Sequence, residues 1–129
     1  MNLRAARCYV GDFDELEVFM VMFDEGPDRE DSSVAFQISL FDDGQDEELG
    51  MDTYCLVLGG RACTYGGILA VSLIQRVLTL TLAEDAQQEL GITGITVDVT
   101  AVMDQWQDIQ NGLIRVLSQA RETPDIRLG

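Results

Sequence analysis

The period of the apolar residues changes once along this chain, and that change limits the possible folds more than any other feature. Up to about residue 100 the apolar residues come in short runs, alternating or continuous, separated by breaks rich in Gly and Asp; beyond it they recur every three or four residues. Period two sends successive side chains to opposite faces of a strand, whereas spacings of three and four gather them on one side of a helix. Many strand-length runs followed by one long helical stripe are most simply buried as an antiparallel sheet with the helix laid over one face.

Ala6–Val10 and Leu16–Phe23 flank Gly11-Asp12-Phe13-Asp14 and read as strand, turn and strand. The segment Leu16–Phe23 is apolar at nearly every position. Such a run suits a strand buried on both faces, and its aromatic and β-branched residues favour strand over a buried helical piece. Residues 24–33 contain Gly26-Pro27 and five carboxylates, which predicts an exposed loop. Val34–Phe41 alternates as a half-buried strand, and a second acidic loop, 42–48, follows it. Thr53–Leu58 and Arg61–Tyr65 are extended on either side of Gly59-Gly60. Ile68–Ile74 and Val77–Leu82 predict a hairpin about Gln75-Arg76, a pair lacking the Asn-Gly chemistry that usually sets a two-residue turn. Ala83–Leu90 predicts two helical turns stopped by Gly91. Ile95, Val97 and Val99 mark a last strand.

In the terminal helix Val102, Trp106, Ile109, Leu113, Val116, Leu117 and Ala120 share one face, and Thr123-Pro124 ends it. Gly112 costs this helix about 1 kcal/mol relative to Ala, so tertiary packing must hold it. The expectation is an α+β fold, mainly antiparallel sheet of about six to eight strands with a long C-terminal amphipathic helix packed on one face. A chain of 129 residues is expected to form a single domain.

Charge departs furthest from the average. There are 23 Asp and Glu against 8 basic residues, all Arg, for a net −15, and neither Lys nor His occurs. Residues 1–50 hold 14 of the carboxylates and 3 Arg. Phosphate-bearing partners would be repelled, which argues against nucleic acid and against an anionic membrane surface. A basic protein would be attracted and oriented. The plainer alternative is that the charge keeps a small domain soluble. The acidic loop residues Asp28, Glu30 and Asp31, with Asp42, Asp43, Asp46, Glu47 and Glu48, are therefore the candidate partner-binding carboxylates.

Catalytic chemistry is hard to assemble from these residues. Without His there is no Ser-His-Asp or Cys-His arrangement and no imidazole ligand. Without Lys there is no phosphate-cradling loop of the P-loop type. Cys8, Cys55 and Cys63 are odd in number, show no CxxC spacing and sit in apolar, strand-like contexts, as reduced structural thiols do. Residues 42–48 resemble a cation loop only superficially and miss the calcium pattern. The expectation is no enzyme, no cofactor and no dedicated metal site. The chain shows neither a signal-peptide apolar run nor a membrane-spanning one, so it reads as cytoplasmic.

Tyr54 and Tyr65 lie near Gly50, Gly66 and Gly67. Their rings could simply pack on the sheet while the glycines form a bulge, or they could belong to an aromatic partner-binding surface, where Tyr is enriched. The segment Leu49–Val57 (LGMDTYCLV), followed by Tyr65–Ile68 (YGGI), resembles the immunity protein 10 family of bacterial polymorphic toxin systems. The run Leu78–Leu82 (LTLTL), the Ala-rich segment closed by Leu90-Gly91 and the acidic C-terminal helix are similar to that family as well.

The resemblance implies a small antidote that binds and neutralises a cognate toxin, without catalysis or cofactor. It carries over no toxin-contact residue. An acidic nucleic-acid mimic or adaptor for a basic host protein, unrelated to toxins, stays open beside it, as does the less favoured enzyme using carboxylates.

Overall fold

The computed structural model describes residues 1–13, 18–26, 32–39, 54–59, 62–118 and 125–128. Among them ten strands form two five-stranded sheets. The strands are β1 (Asn2–Arg4), β2 (Arg7–Phe13), β3 (Val18–Asp24), β4 (Ser33–Ser39), β5 (Cys55–Leu58), β6 (Ala62–Tyr65), β7 (Ile68–Ile74), β8 (Val77–Leu82), β9 (Gly94–Asp98) and β10 (Asp125–Leu128). Helix α1 (Glu84–Leu90) precedes β9, and a 3₁₀ segment (Thr100–Gln105) leads into helix α2 (Trp106–Leu117). The fold is α+β and mostly sheet, with the long helix near the C-terminus. No helix among the described residues is long and apolar enough to cross a membrane.

One sheet is an antiparallel meander, β2-β3-β4-β5-β6, in which each strand pairs with the next. The other, β1-β9-β8-β7-β10, is mixed: β1 and β10 add to its edges in parallel. These short strands raise the number to ten, above the six to eight expected. Three or four residues pairing with strands far along the chain carry no local period to betray them.

The chain crosses between sheets at pairs of small residues. The N–H of Ala5 donates to Asp98 of β9 in the mixed sheet at 2.9 Å, and that of Ala6 to Asp24 of β3 in the meander at 2.7 Å. At the second crossing Gly66 donates to the Tyr54 carbonyl at 2.9 Å, and Gly67 accepts from the Ala83 N–H at 2.8 Å. A larger residue would collide there. Gly67 has φ +90°, and a Cβ on it would stand 2.5 Å from the Ala86 Cβ of α1.

Alternation puts Phe19, Val21, Phe23, Val34, Phe36, Leu56 and Leu58 of the meander on its inward face. Leu3, Ile68, Val71, Leu73, Leu78, Leu80, Leu82, Ile95 and Val97 line that of the mixed sheet. All join one contiguous core with Val102, Ile109, Leu113, Val116 and Leu117 of the terminal helical region. Helix α2 lies against β2, β3 and β4. Gly112 makes this approach possible, since a Cβ there would be 2.7 Å from Val21 Cγ2 and 2.9 Å from Val10 Cγ1. The helix gives up propensity at Gly112 and gains close packing against the sheet.

Several boundaries differ from expectation. Gly11, Asp12 and Phe13 continue β2 and pair with Met20, Phe19 and Val18, so the turn falls later. Asp24 is not loop but the buried end of β3. Val102 lies in the 3₁₀ segment with φ −117°, and the α-helix begins only at Trp106. The hairpin forms where expected, with Ile74 opposite Val77. Gln75 and Arg76 both adopt positive φ, 54° and 67°, as a two-residue turn of this hand requires. The ladder and its buried leucines hold the register at a cost of about 1–2 kcal/mol per left-handed residue. Gly91 ends α1 at φ 72°, its N–H returning to Gln87.

Candidate functional site

The outward faces follow from the register. On the meander, Tyr9 and Phe13, Val18, Met20 and Met22, Ala35 and Gln37, Cys55 and Val57, and Cys63 and Tyr65 alternate with the core residues. None of these side chains belongs to the core cluster or to the partly buried apolar residues packed against it. Met20 and Ala35 form the floor, each 6% exposed, and the Gln37 amide reaches the Met20 sulfur at 3.8 Å. Tyr9 and Tyr65 stand 40% and 46% exposed on the two edge strands. Tyr9 meets Phe13 edge to face, ring centroids 6.4 Å apart, and its hydroxyl donates to the Asp12 carbonyl. Here, then, is a largely apolar outward face, buried at its middle and outside the contiguous core cluster.

One charged pair sits at its end. The Arg7 guanidinium donates Nε and Nη2 to the two oxygens of Asp24 at 2.8 and 2.9 Å, and the Gly26 N–H donates to Asp24 at 3.0 Å. These hydrogen bonds, led by Arg7, hold the buried carboxyl below its usual range against the desolvation that opposes them. The pair therefore adds no net charge to the face.

The sequence-derived candidates fall into two groups. Asp28, Glu30, Asp31, Asp42, Asp43, Asp46, Glu47 and Glu48 all lie outside the described residues. Tyr54 and Tyr65 are described, and they part company. Tyr54 is 1% exposed, on the inward side, where its hydroxyl accepts the Ile68 N–H at 2.8 Å. It is a core residue that ties β5 to the start of β7, which corrects its reading as surface. Burial raises its pKa above the ordinary phenol value. Tyr65, one place after the inward Thr64, emerges on the outward face.

The remaining face residues were not among the candidates. One signal was present: Leu16–Phe23 is apolar at both parities, which says that both faces of its strand avoid water. Which face meets the core and which does not is invisible in the period.

The thiols lack the setting of nucleophiles. Burial first, then Asp104, Asp108 and Asp24, push Cys8 up to about 12. Burial and the neighbouring Cys63 push Cys55 up to about 11. Among the described residues no group of three or more His, Cys, Asp or Glu could hold a metal ion. The carboxyls of Asp24 and Asp98 are shifted down, opposite to the direction a general acid needs.

Among curated proteins and among solved structures nothing matches the chain. The family model described as immunity protein 10 matches residues 5–107, a span that takes in β2 through β9 and both inter-sheet crossings. With most of its length inside that match, the chain belongs to the immunity protein 10 family.

Proposed function

We propose that this chain is a non-catalytic antidote that binds a cognate toxin protein through an acidic surface and so neutralises it. Membership of the immunity protein 10 family is the observation that carries the reading. The charge supports its electrostatic half. Thirteen of the 23 carboxylates, with three of the eight Arg, lie in the connecting and terminal segments outside the described residues. A net negative protein would attract a partner with a basic surface and accelerate its docking, more strongly at low salt. The thiols of Cys8 and Cys55, pushed up by burial, and the carboxyls of Asp24 and Asp98, shifted down, support a role without covalent or acid–base chemistry.

In this reading Asp28, Glu30, Asp31, Asp42, Asp43, Asp46, Glu47 and Glu48 face the basic surface, and the protein acts in the cytoplasm without cofactor or nucleic acid. Co-expression with the toxin encoded beside this chain's gene tests it. The expected result is rescue of growth and a complex whose affinity falls as salt rises. Asn and Gln replacements across the two loops should weaken binding further and flatten the salt dependence. Binding indifferent to those replacements would reject the loops as the contact while leaving the antidote; absence of rescue would reject the antidote.

A further inference from the structure

We propose that the outward face of the meander sheet, centred on Met22 and Val57 and flanked by Tyr9, Cys63 and Tyr65, seats an apolar patch of the toxin that is rimmed by basic residues. The inference rests on the antidote reading and names the surface that would do the binding.

Three observations lead to it. First, the face is apolar and stands outside the cluster that holds the sheets together: Met22, Ala35, Val57 and Cys63 follow one another across four strands by register, and none belongs to that cluster. Second, this is not forced by the architecture. The central positions on the mixed sheet carry Thr79, Thr81, Thr96 and Ser72, with Ala70, Val77 and the exposed Ile74 around them, so the middle of an outward sheet face in this molecule can be polar. Third, Met and Tyr are among the residues enriched at protein interfaces, where thioethers adapt to a partner's shape and rings anchor it.

Charge selects the occupant. In a meander, alternate connections leave from the same end of the sheet. Those joining β2 to β3 and β4 to β5, residues 14–17 and 40–53, hold nine carboxylates and no Arg. An apolar surface on so acidic a chain suits a protein whose own apolar patch is bordered by Lys or Arg. A second copy would bring another −15 to the same place. Nucleic acid and anionic lipid would be repelled.

Size agrees with a shared task. Three strands of seven residues and two of four make a face of roughly 460 Å² in flat projection. A standard interface buries about 800 Å² on each partner, so this face covers about half of one.

Hydroxyl-radical footprinting suits a face made of Met, Cys and Tyr, the side chains oxidised most readily. The probe is a catalytically dead form of the toxin domain encoded beside this chain's gene. Oxidation of Met22, Cys63, Tyr9 and Tyr65 is expected to drop at least fivefold in the complex, while Met103, on the 3₁₀ segment, is unchanged. Met22→Arg and Cys63→Arg are each expected to weaken binding at least tenfold with the melting temperature retained. Should Met22→Arg fail to fold, Cys63→Arg, at an exposed position, carries the test. If the toxin binds but oxidation is unchanged and the variants bind as the parent does, the face is overturned and the antidote stands. Failure of the parent chain to bind the toxin would overturn both. Protection that appears in the chain alone on concentration, with a dimer in sedimentation, would assign the face to a second copy and overturn the proposal.

Discussion

Thr79, Thr81, Thr96 and Ser72 stand at the centre of the outward face of the mixed sheet, with Asp98, Val77 and the exposed Ile74 at one end, Ala70 toward the other, and the Arg127–Asp125 pair, 3.3 Å apart, at its edge. On the outward face of the meander stand Met20, Met22, Val57, Cys63 and two tyrosines, with the only described charges locked in the Arg7–Asp24 pair. The inward faces of both sheets are equally apolar and meet in one core. Stability needs those inward faces, and each buried Leu or Phe there contributes about 1.5–3 kcal/mol. It does not need an apolar outward face, as the threonines of the mixed sheet demonstrate. The centres of the two outward faces therefore differ for a reason other than the packing of the core.

The largest effect is expected where the chain passes from one sheet to the other. Gly67→Ala combines a left-handed backbone with a Cβ pressed 2.5 Å from that of Ala86. Strain of about 1–2 kcal/mol and overpacking of about 1–3 kcal/mol should together cost around 3 kcal/mol in chemical denaturation. Adding Ala86→Gly should recover the overpacking share alone. Gly94→Ala on the mixed sheet meets just the Leu80 carbonyl at 3.5 Å and should stay within about 0.5 kcal/mol. Equal losses at Gly67 and Gly94 would mean that the crossing is not tightly packed.

A smaller effect separates the carboxylates of the two faces. Asp24→Asn removes the charge that holds Arg7 and should cost about 1–2 kcal/mol at pH 7; the half-exposed Arg7 keeps the figure modest. The pH dependence has a definite sign. Arg7 holds the folded carboxyl below the ordinary carboxylate value. The pair's contribution is thus complete above that value and is lost as pH falls through the folded pKa, because the unfolded chain takes up the proton first. Parent and variant should converge in acid. Asp98, held down by the Thr100 hydroxyl and N–H, is exposed, and Asp98→Asn should shift the denaturation midpoint far less. The reverse order would dissolve the contrast between a buried and a solvated carboxylate.

The smallest stability changes belong to the face positions themselves. Thr81→Val on the mixed sheet and Val57→Thr on the meander should each stay within about 0.5 kcal/mol by thermal melts. Only Val57→Thr should lower affinity for the toxin, measured by titration calorimetry. Equal affinities for the two variants would leave the faces different in composition but not in role.

Legibility follows the range of the forces involved. The hairpin of β7 and β8, the helix closed by Gly91 and the stripe from Trp106 to Leu117 depend on neighbours a few residues away, and their patterns stand in the sequence. The end of β3 does not. Asp24 among Glu25 and Gly26 looks like loop until Arg7, seventeen residues earlier, is placed across from it. Tyr54 and Tyr65 are the same residue type beside the same kind of glycines, yet one serves the core and the other the surface. Parity along β5 and β6 decides between them, and parity has meaning only once the sheet has two different sides. The acidic loop residues stayed readable as charge and nothing more.

The sequence by itself determined the α+β class, the helix at the end, the family and the excess of carboxylate, since period, residue identity and charge are properties of the chain alone. Only the tertiary structure decided that the strands divide into two sheets, that Tyr54 is buried, that Asp24 is paired and that one outward face is apolar. Those outcomes depend on which distant segments become neighbours. A strand that is apolar on both sides records that both sides avoid water, but not whether the second side is covered by its own chain or by a partner.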